Sequence, residues 1–213
     1  MYRLTNELYF PPVDSASTEG ILAFGGDLAQ ERLMLAYRSG IFPWFNIDEP
    51  VIWWSPNPRM VLFLDEFKVS KSMRSLLNRN VFRVTFNQDF SAVIRNCQKI
   101  IRPGQDGSWI SEQMISAYEK LHQLGHVMSI EVWQDEALVG GLYGVDLGHV
   151  FSGESMFSSV SNASKVAFVS LVNYLKSNQY QLLDCQVYNE HLASLGCREI
   201  NRDDFMKVLK RTS

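Results

Sequence analysis

The chain has 213 residues, of which 46% are apolar and 20% are charged, and its formal net charge is −3 at pH 7. These values are typical of a globular protein and exclude the disordered and fibrous classes. A chain of this length forms either one large domain or a small domain joined to a medium one. The negative net charge disfavours a protein that grips a long stretch of nucleic-acid backbone, because such binding depends on neutralising phosphates.

Residue usage indicates the compartment. Cys97, Cys185 and Cys197 are odd in number, far apart and without a secretory leader, which favours a reducing environment over a disulfide framework. No apolar run approaches the roughly 20 residues that a membrane span needs. The four histidines have no ligand spacing with the cysteines, so no metal site is expected. We predict a cytoplasmic protein.

Residues 1–65 are predicted to form a small, irregular N-terminal domain. The segment is rich in turn-forming residues, and its pattern predicts one helix, Glu31–Ser39. Gly40 follows that helix at the position where glycine commonly ends a helix.

Residues 66–213 change to a pattern of regular helices and strands. In chain order, the predicted elements are a strand at Val81–Phe86, helices at Asp89–Ile100 and Ser111–Leu124, strands at Met128–Trp133, Ala137–Val145 and His149–Gly153, a helix at Ala163–Asn178, a strand at Tyr180–Val187 and a helix at Asp203–Arg211. This order resembles the acyltransferase fold of N-acetyltransferases and of peptidyl transferases that use aminoacyl-tRNA. We therefore predict an α+β protein in which residues 66–213 form a GNAT-like mixed β-sheet domain flanked by helices, with the active site at the interface with the N-terminal domain.

The composition of the loop before the Ala163–Asn178 helix indicates which acyl carrier the protein would use. Acetyltransferases of this fold bind the pyrophosphate of coenzyme A with a glycine-containing loop at the helix start. Here the loop runs from Ser158 to Lys165 and contains no glycine. Its composition disfavours acetyl-coenzyme A, although an acetyl-coenzyme-A-dependent N-acetyltransferase remains an alternative.

Several segments place bulky aromatic residues beside glycines and prolines, a mixture that ordinary core formation explains poorly. They are Gly20–Leu28, Ala36–Phe45, Ile52–Arg59, Gly153–Phe157 and the Asp184-Cys-Gln186 tripeptide. Together they resemble the leucyl/phenylalanyl-tRNA–protein transferase family over nearly the whole chain. Relatives commonly extend past the last helix, whereas this sequence stops at Ser213.

The resemblance implies an aminoacyltransferase with two substrates. It implies transfer of Leu, Phe or Met from aminoacyl-tRNA to the α-amino group of proteins that begin with Arg or Lys, which tags them for degradation by the N-end rule pathway. The aminoacyl ester is already activated, so no cofactor is expected, and aminoacyl-tRNA is itself a substrate. A monomer is the default expectation.

Asp184 and Gln186 are two residues apart on a predicted strand, so we expect both polar side chains to point to one face and Cys185 to point to the other. Glu154 ends the neighbouring predicted strand and is expected close to them. Asp184 is expected to hold the attacking amine and Gln186 to orient it or to stabilise the developing oxyanion. The resemblance implies the same two catalytic residues and implies that Glu154, with Asp184, receives the acceptor's amino-terminal residue.

An apolar pocket is expected for the donor side chain, because the Ala163–Asn178 helix carries two apolar stripes and only one can serve the sheet. The resemblance assigns the donor pocket to this region. The predicted lining residues are Leu142, Phe151, Met156, Phe168, Leu171 and Leu175.

Two further sets of residues are predicted to contact the transfer RNA. The terminal adenosine is assigned to Trp44 and Trp109, whose indoles offer stacking faces, with Tyr37 and Ser158 nearby. Phosphates are assigned to a basic segment without acidic residues, formed by Lys68, Lys71, Arg74, Arg79 and Arg83. A solvated helix face is the competing interpretation of that segment. A non-catalytic adaptor that binds basic protein amino termini through Glu154 and Asp184 is the competing interpretation of the acidic pair.

Overall fold

The computed structural model describes residues 2–100 and 109–211. The N-terminal part forms a four-stranded sheet in the order β1-β2-β4-β3. Its elements are β1 Tyr2–Leu4, a 3₁₀ turn Val13–Ser15, β2 Ile21–Gly25, α1 Gln30–Arg38, β3 Phe42–Pro43 and β4 Ile52–Trp54. Gly40 follows α1 at φ +73°, a conformation that glycine adopts without a Cβ clash, so the predicted end of this helix is confirmed.

A seven-stranded mixed sheet forms the rest of the framework, in the order β11-β5-β10-β9-β8-β7-β6. Its strands are β5 Arg59–Phe63, β6 Arg83–Phe86, β7 Val127–Gln134, β8 Ala137–Asp146, β9 Val150–Ser158, β10 Leu182–Gln186 and β11 Arg198–Ile200. Strands β9 and β10 are parallel, and the other neighbours are antiparallel.

Helices cover both faces of this sheet. They are α2 Lys71–Asn78, α3 Phe90–Lys99, α4 Glu112–Gln123, α5 Ala163–Ser177, α6 Glu190–Ser194 and α7 Arg202–Leu209, with a 3₁₀ turn at Leu64–Glu66. The caps of α3 and α4 agree with their sequence signals, because Asp89 accepts from the amide of Ala92 and Ser111 accepts from the amide of Met114. Helix α5 buries its apolar side chains against one face of the sheet.

The N-terminal sheet and the opposite face of the large sheet share one hydrophobic core. Trp53 and Leu33 from the N-terminal part belong to the same buried cluster as Tyr118 of α4 and Tyr143 of β8. The small N-terminal part is therefore packed onto the large sheet along its α3 and α4 side, which makes their junction a continuous buried surface.

The predicted fold class is confirmed, since the nine elements predicted from residue 81 onward occur in the predicted order. Strand β9 is longer than predicted, because residues 155–158 continue to pair with β8. The sequence pattern missed α2, α6, β5 and β11, and it missed the four strands of the N-terminal sheet, a segment predicted to be irregular. Strand β5 belongs to the large sheet, so the two sheets divide between Trp54 and Arg59, ahead of the predicted boundary at residue 65. Among the helices of residues 2–100 and 109–211, none is long and apolar enough to cross a membrane.

Candidate active site

The two parallel strands in the middle of the large sheet separate at their carboxyl ends. Strands β9 and β10 pair through Leu182 with Val150, Leu183 with Phe151, and Asp184 with Ser152. Beyond that point both strands are irregular. The β8–β9 register shifts so that Glu154 is the extra residue, and the β10–β5 register shifts between Asp184 and Gln186. The separation opens a gap whose walls are the backbones of β9 and β10.

Glu154 and Gln186 bridge this gap by their side chains. The Gln186 amide nitrogen Nε2 donates to Glu154 Oε1 at 2.7 Å. Gln186 has φ +66°, in the left-handed region that few non-glycine residues occupy. With Nε2 engaged by Glu154, the amide oxygen of Gln186 is left to accept a hydrogen bond from a ligand.

A cavity of about 330 Å³ opens beside this pair. It is lined by residues of β3, β8, β9, α5 and β10 and by the segment after β10, and most of its wall is apolar. An apolar cavity with few polar groups at one end is the usual form of a small-ligand site. Among the lining residues that belong to the described part of the chain, Glu154 is the only carboxylate.

Asp184 is placed differently from the expectation. It is 2% exposed and does not line the cavity, whereas Cys185 and Gln186 do. The Asp184 carboxylate is instead turned to Arg59 and Ser152, so it does not share the cavity wall with Gln186, and that part of the prediction was wrong. The Cys185 side chain packs in the core beneath α5, with its Sγ 3.6 Å from Cys197 Sγ, in agreement with its predicted direction.

The Asp184 carboxylate is fully engaged within the protein. Its Oδ1 accepts from Arg59 Nε at 2.8 Å and from the Gln186 amide N–H at 3.0 Å. Its Oδ2 accepts from Arg59 Nη2 and from Ser152 Oγ, both at 2.7 Å. Burying a carboxylate is costly unless its oxygens are hydrogen-bonded, and this set of donors satisfies both oxygens. Asp184 can therefore act on the site through the Gln186 backbone.

The surroundings of Glu154 disfavour the ionised form of its carboxyl group. Burial raises the pKa of its carboxyl to about 7, although hydrogen bonds from Tyr37, Gln186 and Tyr118 act in the opposite direction. The Tyr118 hydroxyl donates to Glu154 Oε2 at 3.1 Å, and the Tyr37 and Tyr118 hydroxyls are hydrogen-bonded to each other. Burial is also the main cause that raises the pKa of both tyrosines. Glu154 is thus poised to change charge near neutral pH.

Replacing Tyr118 with phenylalanine is expected to raise the pKa of Glu154 further, because the variant loses a hydrogen bond that favours the carboxylate. The midpoint of the Glu154 titration, followed by NMR, should therefore move to higher pH. Tyr180→Phe is the matched control, since the Tyr180 hydroxyl donates to Asp146 at 2.7 Å, outside the cavity. An unmoved midpoint in Tyr118→Phe would show that this hydrogen bond does not tune Glu154.

The residues predicted for the donor pocket divide into two groups. Leu142, Met156, Phe168 and Leu171 line the cavity. Phe151 and Leu175 are fully buried in the adjacent core and do not line it. The cavity also has apolar walls that the sequence did not indicate, contributed by Phe42, Pro43, Leu183, Val187 and Leu192.

The residues predicted for the terminal adenosine are also split. Trp44 and Trp109 line the cavity, and the Trp44 ring packs at 5.3 Å from the Trp54 ring, whose Nε1 donates to the Trp44 carbonyl oxygen. Tyr37 is 3% exposed and lies behind Glu154 rather than in the cavity wall. Ser158 is exposed at the end of β9, where its Oγ accepts from the amide of Ser164 at the start of α5. The roles assigned to these four residues stay predictions.

The predicted phosphate contacts lie on an exposed surface. All five basic side chains are exposed, and none forms an ion pair with a residue in the described part of the chain. Helix α2 carries part of this surface, and Met73 on its other side packs into the core beneath α5. The Arg83 guanidinium lies 5.1 Å from the Trp133 ring centre, which fixes it against the sheet. Within residues 2–100 and 109–211 there is no cluster of three or more potential metal ligands.

Sequence reasoning missed Arg59, Ser152 and Tyr118 in the neighbourhood of the site. Arg59 closes an aromatic and proline-rich segment, and no periodicity marks it as the partner of Asp184. Tyr118 lies on α4, where its apolar neighbours suggest only a core position. In both cases the contact joins elements far apart in the sequence, so the only usable signal was a buried polar side chain in need of a partner.

Comparisons with known proteins assign the chain to a family. The family model for leucyl/phenylalanyl-tRNA protein transferase matches residues 61–210, and the model for its N-terminal domain matches residues 26–57. The chain is 65% identical to the leucyl/phenylalanyl-tRNA–protein transferase of Flavobacterium johnsoniae, covering 99% of each chain. It is 60% identical to that of Flavobacterium psychrophilum, over 99% of this chain and 100% of the relative, and 53% identical to that of Syntrophobacter fumaroxidans, over 98% and 89%.

Solved structures match less closely. L-PGS from Bacillus licheniformis is 14% identical with a TM-score of 0.44, covering 89% of this chain and 64% of that one. An aminoglycoside acetyltransferase from an uncultured soil sample is 12% identical with a TM-score of 0.39, covering 63% and 90%.

The sequence matches define an aminoacyltransferase, a class that uses an aminoacyl-tRNA and a protein as its substrates. The chain belongs to the leucyl/phenylalanyl-tRNA protein transferase family, as the sequence pattern predicted.

Proposed function

We propose that the enzyme transfers Leu, Phe or Met from aminoacyl-tRNA to the α-amino group of proteins that begin with Arg or Lys. The observation that carries the proposal is the pairing of Glu154 with Gln186 at one end of an apolar cavity. The cavity suits an apolar donor side chain, and the carboxylate suits a cationic acceptor. Release of the acceptor to the N-end rule degradation pathway is the proposed consequence in the cytoplasm.

The donor's side chain is proposed to enter the cavity between β8, β9 and α5. Leu142, Phe168 and Leu171 give it a rigid apolar wall, and the flexible Met156 adapts to donors of different shape. Discrimination among Leu, Phe and Met is expected to be modest, because a methylene in an apolar pocket changes the free energy by about 1–3 kcal/mol. The indoles of Trp44 and Trp109 are proposed to hold the terminal adenosine at the same cavity.

The acceptor's amino terminus is proposed to bind at Glu154 and Gln186. Because Gln186 Nε2 donates to Glu154, its amide oxygen can accept from the attacking amine. The cationic residue of the acceptor favours the ionised form of Glu154 and forms a charge-assisted hydrogen bond with it. Asp184 contributes by holding the Gln186 main chain, since its own oxygens are already engaged.

The proposed reaction needs little general-base catalysis. The donor ester is activated, so its conversion into an amide runs downhill and is proposed to need no cofactor or metal. The α-amine has a reference pKa of about 8, so roughly a tenth of it is neutral at pH 7. Positioning the amine and the ester together can contribute about 7–11 kcal/mol, which makes orientation the larger effect. The amine nitrogen attacks the ester carbonyl carbon, and the ribose oxygen of the tRNA leaves with a proton.

The exposed basic segment is proposed to bind phosphates of the transfer RNA. Replacing Lys71, Arg74 and Arg79 with glutamine should weaken donor binding and lower the slope of log K against log salt by about one for each lost phosphate contact. The matched control replaces three exposed basic residues outside the segment, Lys120, Lys210 and Arg211, with glutamine. Equal salt slopes in the two triple variants would place the RNA elsewhere.

The proposed reaction is tested by mixing the purified enzyme with labelled leucyl-, phenylalanyl-, methionyl- or valyl-tRNA and a peptide that begins with Arg. The same peptide with an acetylated amine is the control. We expect label to move from the first three donors to the free amine alone. No transfer from any donor, with the charged RNA shown to be intact, would overturn the proposed function.

A further inference from the structure

Arg59 is a buried cation at the junction of the two sheets. It is the first residue of β5 and is 1% exposed. Its guanidinium makes two parallel hydrogen bonds to the Asp184 carboxylate, and Nη1 donates to the Gly40 carbonyl oxygen at 3.2 Å. The rings of Phe42 and Phe205 lie 4.8 and 4.7 Å from its central carbon. Bidentate pairing and aromatic packing together fix both the position and the plane of this group.

The Asp184 carboxylate links the Arg59 guanidinium to the backbone of Gln186. Asp184 Oδ1 accepts from Arg59 Nε and also from the main-chain N–H of Gln186. Gln186 lies at φ +66°, where a non-glycine residue persists only if its surroundings hold it. Strands β9 and β10 no longer pair beyond Asp184, and the pairing of Gln186 with Met60 of β5 follows a register shift, so the ladder supports Gln186 on one side only. The hydrogen bond from the Gln186 amide to Asp184 adds support from within the strand.

We propose that Arg59 is a positioning residue for aminoacyl transfer: its bidentate pair fixes Asp184, which fixes the Gln186 backbone and so aims the Gln186 amide into the cavity. Arg59 does not line the cavity, so its effect on the reaction is indirect. The proposal rests on the function proposed above for Gln186. The competing explanation is that Arg59 only neutralises a buried carboxylate, in which case any arrangement that removes the unpaired charge would serve equally well.

The test separates positioning from neutralisation by three variants. Arg59→Lys keeps the positive charge but cannot form the bidentate pair. The double variant Arg59→Met/Asp184→Leu removes both charges and leaves neither buried without a partner. Arg198→Met is the matched control, because Arg198 on the neighbouring strand makes a bidentate pair with Glu66 and lies 4.6 Å from the Phe63 ring centre, with no link to Gln186.

Steady-state kinetics and thermal unfolding are measured on all three. A misplacement of about 1 Å can lower a rate about 100-fold, so the double variant should fold yet lose kcat on that order. Arg59→Lys should lose at least about tenfold in kcat, with little change in the KM of aminoacyl-tRNA, and Arg198→Met should match the wild type. Wild-type kcat in the double variant or in Arg59→Lys would overturn the proposal.

Arg59→Lys decides the outcome on its own if the double variant does not fold, since it keeps the charge that a purely neutralising role requires. Hydrogen exchange of the Gln186 amide in Arg59→Lys gives a second measurement, which should show faster exchange than in the wild type. Unchanged exchange together with unchanged kcat would also overturn the proposal. Failure of the wild-type enzyme to transfer any donor would instead overturn the proposed function, so the two failures are distinguishable.

Discussion

Replacing Gln186 with alanine is expected to lower kcat for aminoacyl transfer by about 100-fold to 1,000-fold. The range is that for removal of one pre-organised hydrogen-bonding group from a reaction site. The side chain is held at 2.7 Å from Glu154 Oε1, and no other amide side chain in the described part of the chain bridges β9 and β10. The KM of aminoacyl-tRNA should change little, because the apolar cavity wall and the two tryptophans remain.

The alanine variant needs a control for its backbone, because Gln186 has a positive φ that alanine tolerates poorly. Gln179 provides it, with φ +61° at an exposed position outside the cavity. Gln179→Ala should show any cost of alanine in this conformation as a lower unfolding temperature, with kcat unchanged. If Gln186→Ala kept wild-type kcat, the amide would have no role in orienting the amine.

Replacing Glu154 with glutamine is expected to raise the KM of an acceptor that begins with Arg by about 10-fold to 100-fold at pH 8. The variant loses a hydrogen bond to a charged group, worth about 1.5–3 kcal/mol. The pKa of Glu154, raised by burial to about 7, sets the pH dependence. In the wild type, kcat/KM for the acceptor should rise through an inflection near pH 7 as Glu154 ionises. The inflection should be absent from Glu154→Gln, which leaves only the rise near pH 8 from deprotonation of the amine.

Glu154→Gln, which should weaken acceptor binding, is expected to increase the stability of the protein. Because folding raises the pKa of Glu154 above its ordinary value of 4.5, the folded state binds the proton more tightly than the unfolded state does. Its contribution to the free energy of unfolding is therefore present below about pH 4.5 and is lost as the pH rises through about 7. Glu154→Gln should remove this loss, so the variant should gain stability relative to the wild type between those pH values. A constant stability difference across this range, measured by denaturant unfolding, would contradict the raised pKa.

The sequence predicted the framework because local signals were strong. The predicted helices Asp89–Ile100 and Ser111–Leu124 begin at the residues that cap α3 and α4, and Gly40 follows the predicted end of α1. These features depend on residues close together in the chain, so a pattern can reveal them. The short apolar strand β5 was not predicted, because it has no alternating pattern and follows an aromatic, proline-rich segment.

The site itself could be predicted only in part. The sequence drew attention to Glu154, Asp184 and Gln186, but their arrangement depends on a bulge and a positive φ at Gln186, for which glutamine gives no signal. The partner of Asp184 is 125 residues away in the sequence. A carboxylate expected to bind substrate therefore proved to be engaged by Arg59, and its expected direct contact gives way to an effect through the Gln186 backbone.

The most direct test of the account is a crystal structure of the enzyme with a stable 3′-phenylalanylamido-adenosine, in which an amide replaces the donor ester. We predict that the phenyl ring enters the cavity lined by Leu142, Phe168 and Leu171, that the adenine contacts Trp44 or Trp109, and that the carbonyl carbon lies beside the Gln186 amide. An analogue that inhibits transfer competitively but binds away from the gap between β9 and β10 would contradict the assignment of this cavity as the site of transfer.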